Sequence, residues 1–82
     1  MATVRYFGLL RERTGMREET LPAPSVATML REIEKRHGKE AAHMAKKGHI
    51  IVNGENAGSH KGFRMKLSSG DVVQLLPVCG GG

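Results

Sequence analysis

The clearest helical periodicity in this chain lies near its middle. Val26, Met29, Leu30, Ile33 and finally His37 recur at i, i+3, i+4 and i+7, while Arg31, Glu32, Glu34, Lys35 and Arg36 fall on the other side. Pro22-Ala23-Pro24 forces extended backbone ahead of this segment, Ser25 is placed to cap it, and Gly38 is placed to stop it. The pattern predicts an amphipathic helix from Val26 to His37 with one apolar stripe. That stripe needs a surface to cover, and the flanking sequence is patterned for strands.

Ala2 to Phe7 carries the β-formers Thr3, Val4, Tyr6 and Phe7, with Val4 and Tyr6 alternating against Thr3 and Arg5. Leu9 to Gly15 is too short and polar for a strand, so it is expected as the long loop of a hairpin whose second strand is Met16 to Leu21. His49-Ile50-Ile51-Val52 predicts a third strand, closed by the turn signal Asn53-Gly54. Phe63 to Leu67 alternates apolar and basic residues, Ser68-Ser69-Gly70-Asp71 supplies a turn, and Val72 to Leu76 predicts the last strand. Lys39 to Gly48 is compatible with one or two helical turns or with a loop. One helix covers one sheet face, so the economical fold is α+β: a mixed sheet of four to five strands packed over one main helix, the β-grasp arrangement. The last strand should lie centrally beside the first and parallel to it.

An 82-residue chain of 8.9 kDa affords a single domain, expected over residues 1–77 and followed by a tail at 78–82. A chain this short buries only about 60% of its unfolded surface, which argues against a large catalytic cleft. No apolar run approaches the roughly 20 residues of a membrane span, and the N-terminus lacks the pattern of a secretory signal, so no membrane association and a cytoplasmic location are expected. The lone Cys79 excludes an internal disulfide. Thirteen Lys and Arg against eight Asp and Glu give a net charge of +5, but these bases are dispersed from Arg5 to Lys66. Only Tyr6, Phe7 and Phe63 offer rings for stacking, so an acidic protein partner fits the charge better than nucleic acid. His37, His43, His49 and His60 lack ligand spacing, are expected at the surface, and predict no metal site. No phosphate-binding loop, paired carboxylates or nucleophile with its base is present, so no catalytic residue is expected. Regular alternation turns Phe7 outward, where with Leu75 or Leu76 it would form the apolar centre of a docking surface, and Arg11 would supply a rim charge.

Beyond Leu76 the character changes to Pro77-Val78-Cys79-Gly80-Gly81-Gly82. Terminal glycines add no packing, and without a Cβ they let a main chain thread a narrow channel, presenting a carboxylate as a chemical handle. The segments Val4-Arg5-Tyr6-Phe7-Gly8-Leu9-Leu10-Arg11-Glu12, Val52-Asn53-Gly54, Leu67-Ser68-Ser69-Gly70-Asp71-Val72-Val73 and Leu76-Pro77-Val78-Cys79-Gly80-Gly81 occur in the order found in the ubiquitin-like sulfur carriers. The whole chain resembles that MoaD/ThiS family, which includes the small subunit of molybdopterin synthase.

The resemblance implies a carrier that binds no cofactor of its own. A ubiquitin-activating-type adenylyltransferase would use ATP and magnesium to adenylate the terminal glycine, which is then converted to a thiocarboxylate. The tail Val78, Cys79, Gly80, Gly81 and Gly82 would insert into a sulfur-accepting large subunit, in the molybdopterin branch one acting on a pterin precursor. Other branches serve cysteine, thiamine or secondary-metabolite synthesis, and a ubiquitin-like protein modifier conjugated to lysines is the alternative class. A plain β-grasp interaction module with a silent tail is a third. The family pattern ends after the Gly-Gly that follows Pro-Val-x, so Gly82 is additional. Either Gly82 is loaded, or a peptidase removes it and Gly81 is loaded. Cys79 is expected as a small spacer; the competing role is an acyl disulfide or thioester with the activated glycine.

Overall fold

The computed structural model describes residues 1–57 and 64–77. The chain runs β1 (Ala2–Tyr6), α1 (Leu9–Thr14), β2 (Glu18–Leu21), α2 (Val26–His37), α3 (Lys39–Lys47), β3 (His49–Val52), β4 (Glu55–Asn56) and β5 (Val72–Leu76). The strands form one mixed sheet in the order β2-β1-β5-β3-β4. β5 is central as expected, parallel to β1 with Val4 opposite Val73 and Tyr6 opposite Leu75, and antiparallel to β3 with Ile50 opposite Leu75. The mixed sheet and the packed helices are the β-grasp fold.

Strand alternation sorts the side chains. Ala2, Val4 and Tyr6 of β1, Val73 and Leu75 of β5, and Ile50 and Val52 of β3 turn to the helices and are buried. They meet Val26, Met29, Leu30 and Ile33, the stripe predicted for α2. Ser25 caps that helix through its Oγ, which accepts from the Thr28 N–H at 3.2 Å, and Gly38 follows the helix at a φ of 98°. The Lys39 to Gly48 segment resolves as a nine-residue helix. Its buried residues are Ala41, Ala42 and Ala45, small side chains that let it lie close to α2 while giving only a faint hydrophobic signal in the sequence.

Three expectations are corrected. Leu9 to Gly15 contains the helix α1, anchored by the fully buried Leu10 and closed by Gly15, whose N–H donates to the Arg11 carbonyl. With a single side chain inside, six residues present no periodicity to detect. The second strand is shorter than Met16 to Leu21 and begins at Glu18. In the Phe63 to Leu67 segment, Phe63 lies outside the described residues, and the rest forms an isolated bridge from Lys66 to Ser25. Two flanking backbone bonds hold it there: Val26 N–H donates to the Met65 carbonyl and Leu67 N–H to the Pro24 carbonyl, both at 2.9 Å. The fifth strand is instead β4, two exposed residues paired with β3 across the Asn53-Gly54 turn. Both turn residues have positive φ, 49° and 87°, the geometry of the tightest hairpins.

Candidate functional site

Alternation along the three central strands leaves a second face pointing away from the helices. Thr3 and Arg5 of β1, Val72, Gln74 and Leu76 of β5, and His49 and Ile51 of β3 occupy it. Register aligns them: Arg5 and Ile51 both lie opposite Gln74, and His49 lies opposite Leu76. Phe7 follows β1 on this side, tied to the sheet by its N–H, which donates to the Leu75 carbonyl at 3.2 Å.

Phe7 is half-buried, with the Arg5 and Arg11 guanidiniums 5.8 and 5.2 Å from its ring centroid. Such placements attract through the ring quadrupole. Arg11 is aimed by its Nε, which donates to the Tyr6 carbonyl at 2.9 Å, and it has no carboxylate partner among the described residues. Arg5 lies 3.6 Å from Glu18 in an exposed pair, an arrangement worth little in water. Phe7, Arg11 and the end of β5 therefore converge where Pro77 leads the chain out of the sheet.

Leu75 does not belong to this face. It is fully buried against the helices, because strand alternation assigns Leu75 to the core and Leu76 to the outside. Of the apolar residues expected for docking, Phe7 and Leu76 share this face. Ile51, Gln74 and His49, which the sequence reading passed over, join them. The period-2 pattern of His49-Ile50-Ile51-Val52 held that signal, masked by two adjacent isoleucines. Val78, Cys79, Gly80, Gly81, Gly82 and His60 lie outside the described residues.

His37 is a further correction. Its side chain is 10% exposed and its Nε2 lies 2.6 Å from Glu19 Oε2. The same carboxylate accepts from the Tyr6 hydroxyl at 2.5 Å, and its other oxygen accepts from Arg36 at 3.2 Å. Burial raises the Glu19 carboxyl, but the hydrogen bonds from Tyr6 and His37, with the charge of His37 and the bond from Arg36, outweigh it and hold the group below its ordinary value. Burial and the neighbouring carboxylate push the Tyr6 phenol far up, so it remains a donor. This cluster pins the α2 C-terminus to β1 and β2. Among the described residues no group of three or more His, Cys, Asp or Glu is placed to hold a metal. No described helix is long and apolar enough to cross a membrane. A hollow of about 500 Å³ on the helix side is lined by charged side chains including Arg13, Lys39, Glu40 and Lys46, and it contains none of the docking residues.

The arrangement is a face of mixed apolar, polar and cationic side chains beside the point where the chain leaves the central strand. The family model of the ThiS family matches residues 4–82. The chain is 25% identical to a chain of the Amycolatopsis orientalis BexX/CysO complex, with full coverage of both chains and a TM-score of 0.81. It is 28% identical to a putative molybdopterin converting factor, subunit 1, from Pyrococcus furiosus, covering 93% of this chain and 94% of that one at a TM-score of 0.69. The small archaeal modifier protein 1 of Methanosarcina acetivorans, 24% identical over 99% of this chain and 95% of its own, shares the fold at a TM-score of 0.82. A search of curated proteins finds none that matches. A family match across nearly the whole chain, on a β-grasp sheet with this face, establishes that the chain belongs to the ThiS family of MoaD/ThiS-like sulfur carriers.

Proposed function

We propose that this protein carries sulfur as a thiocarboxylate on its terminal glycine and delivers it in molybdopterin synthesis. The observation that carries the reading is the family match, which runs on from the sheet through Pro77 to Gly82. A carboxylate is a poor electrophile, so it must first be activated. One oxygen of the Gly82 carboxylate, or of Gly81 after trimming by a peptidase, attacks the α-phosphorus of ATP and releases pyrophosphate. A sulfur nucleophile such as hydrosulfide then attacks the acyl carbon and expels AMP, leaving the thiocarboxylate and a proton. ATP and magnesium belong to the adenylyltransferase partner. This chain supplies the docking face of Phe7, Leu76 and Arg11 and the tail 78–82. The molybdopterin acceptor is supported by the likeness to the Pyrococcus furiosus protein.

A second reading is favoured by the likeness to the BexX/CysO complex: the same tail delivering sulfur to another biosynthetic enzyme. The test loads the chain with the activating enzyme of its own organism, ATP, magnesium and hydrosulfide, then presents it to a molybdopterin synthase large subunit with the pterin precursor. Sulfur transfer to the pterin supports the molybdopterin assignment. A loaded chain that keeps its sulfur in the presence of that pair overturns it in favour of another acceptor. Lysine conjugates of higher mass in cell extract would instead mark a protein modifier. Cys79→Ser is expected to load normally, as a spacer role requires. Intact mass of the loaded form from the native host distinguishes Gly82 from Gly81.

A further inference from the structure

Two glycines meet one proline at the root of the tail. At Gly48 the backbone is extended, with φ −86° and ψ −162°, a conformation open to any residue. The reason for glycine there is space. A Cβ built on Gly48 would run into the Leu76 carbonyl oxygen and lie 2.9 Å from Pro77 Cα. The β3–β5 ladder pairs His49 with Leu76, so Gly48 and Pro77 are the next facing positions beyond its end. From the other side, a Cβ on Gly8 would lie 3.3 Å from Pro77 Cγ and 3.7 Å from its Cδ, and Gly8 also has a φ of 56°. By contrast, Gly15, Gly38, Gly54 and Gly70 all have positive φ and nothing within 4 Å of a built Cβ, so conformation alone accounts for them. Among the described glycines, Gly8 and Gly48 are where another part of the chain fills the side-chain space: at Gly8 the Pro77 ring, at Gly48 the Leu76 carbonyl and behind it the Pro77 Cα.

Pro77 brings stiffness to this seat. Its ring fixes its own φ and restricts Leu76 before it to extended backbone. We infer that Gly8, Gly48 and Pro77 form a mount that fixes the direction in which the C-terminal tail leaves the sheet, with Pro77 as a positioning residue. The inference rests on the carrier reading for what the tail does, but the mount is a property of the described residues. Gly8 adjoins Phe7, and Leu76 precedes Pro77, so the mount ties that direction to the docking face. A partner that grips the face then holds the tail already aimed, with less orientational freedom left to lose between the bound complex and the reacting geometry. For a reaction at the end of a threaded chain, small errors of placement are expensive in rate.

The test uses the full chain, unaltered and as Pro77→Gly and Gly48→Ala, with the carrier as varied substrate in the adenylation reaction of its activating enzyme with ATP and magnesium. Pro77→Gly leaves the docking side chains in place, so kcat is expected to fall about tenfold or more while KM changes less than about twofold. An unchanged kcat overturns the mount. A second readout needs no enzyme: the NMR order parameter of the Cα–H of residue 77, expected near about 0.85 in the unaltered chain and below about 0.6 in Pro77→Gly. A low value in the unaltered chain, or a high value retained in Pro77→Gly, overturns the mount as well. If the unaltered chain is never adenylated, the carrier reading fails and the relaxation measurement alone decides the mount. Gly48→Ala is expected to show the same loss of order at residue 77 if it folds, and Pro77→Gly decides the matter if it does not.

Discussion

The Glu19 carboxylate is shared by the Tyr6 hydroxyl, His37 and Arg36, and its side chain is only 12% exposed. Replacing it with glutamine leaves the geometry nearly intact but removes the charge that these donors face. Glu19→Gln should destabilise the fold by about 1–3 kcal/mol near neutral pH, measured by urea unfolding. Because the folded carboxyl is held below its ordinary value of 4.5, the stabilisation is fully present above that value and is lost as pH falls through the folded one. The difference between the unaltered chain and Glu19→Gln should therefore shrink steadily below about pH 4.5; a difference constant down to pH 3 would show that the charge of Glu19 is not what stabilises. The sequence displayed Tyr6 and His37 as an inward strand residue and the last residue of a helical stripe. It did not display Glu19 as their common partner, since Tyr6 lies 13 residues from it across the β1–β2 hairpin and His37 lies 18 residues from it on α2.

At the scale of elements, two short motifs far apart in the chain prove to be one structure. Asn53, in the turn after β3, donates from its amide nitrogen to Asp71 at 3.0 Å and accepts from the Val72 N–H at 2.9 Å, while its own N–H donates to the Val72 carbonyl. Asp71 also accepts from the Ser68 N–H, and these two hydrogen bonds hold its carboxyl below the ordinary range. Asn53 thus clips the β3–β4 turn to the start of β5. Asn53→Ala, which loses both side-chain bonds and sits badly at a φ of 49°, should cost about 1–2 kcal/mol by denaturant unfolding. The two leucines of β5 separate the core from the opposite face of the sheet. Leu75→Ala should destabilise by about 2–5 kcal/mol, whereas Leu76→Ala should cost less than about 1.5 kcal/mol and mainly weaken partner affinity. Equal losses of stability would contradict the division of faces. The sheet, α2 and its caps were legible because period and punctuation agreed along each of them. α1, α3 and β4 were not, because their anchors are one leucine, three alanines and a turn.

The net charge of +5 is dispersed along the chain, but one of its cations has a defined place. Arg11 is aimed by the Tyr6 carbonyl and Phe7 yet meets no carboxylate among the described residues, so it is available to an acidic partner at the point where the tail departs. Arg11→Glu should weaken binding to the activating enzyme about tenfold at low salt, with the difference fading as salt screens it. Unchanged affinity in calorimetry would reduce Arg11 to an ordinary solvated side chain. The outward placement of Phe7 was readable from strand alternation, whereas the choice between Leu75 and Leu76 was not. The mount around Pro77 was not, since a glycine conserving space looks in sequence like a glycine ending a helix. The proposed chemistry places sulfur on the last glycine, Gly82 or Gly81. Its most direct test is the intact mass of the full chain after incubation with its activating enzyme, ATP, magnesium and hydrosulfide. A gain of about 16 Da, sulfur in place of oxygen, is expected on the chain ending at Gly82 or at Gly81. An unchanged mass with an enzyme that loads its other substrates would contradict it.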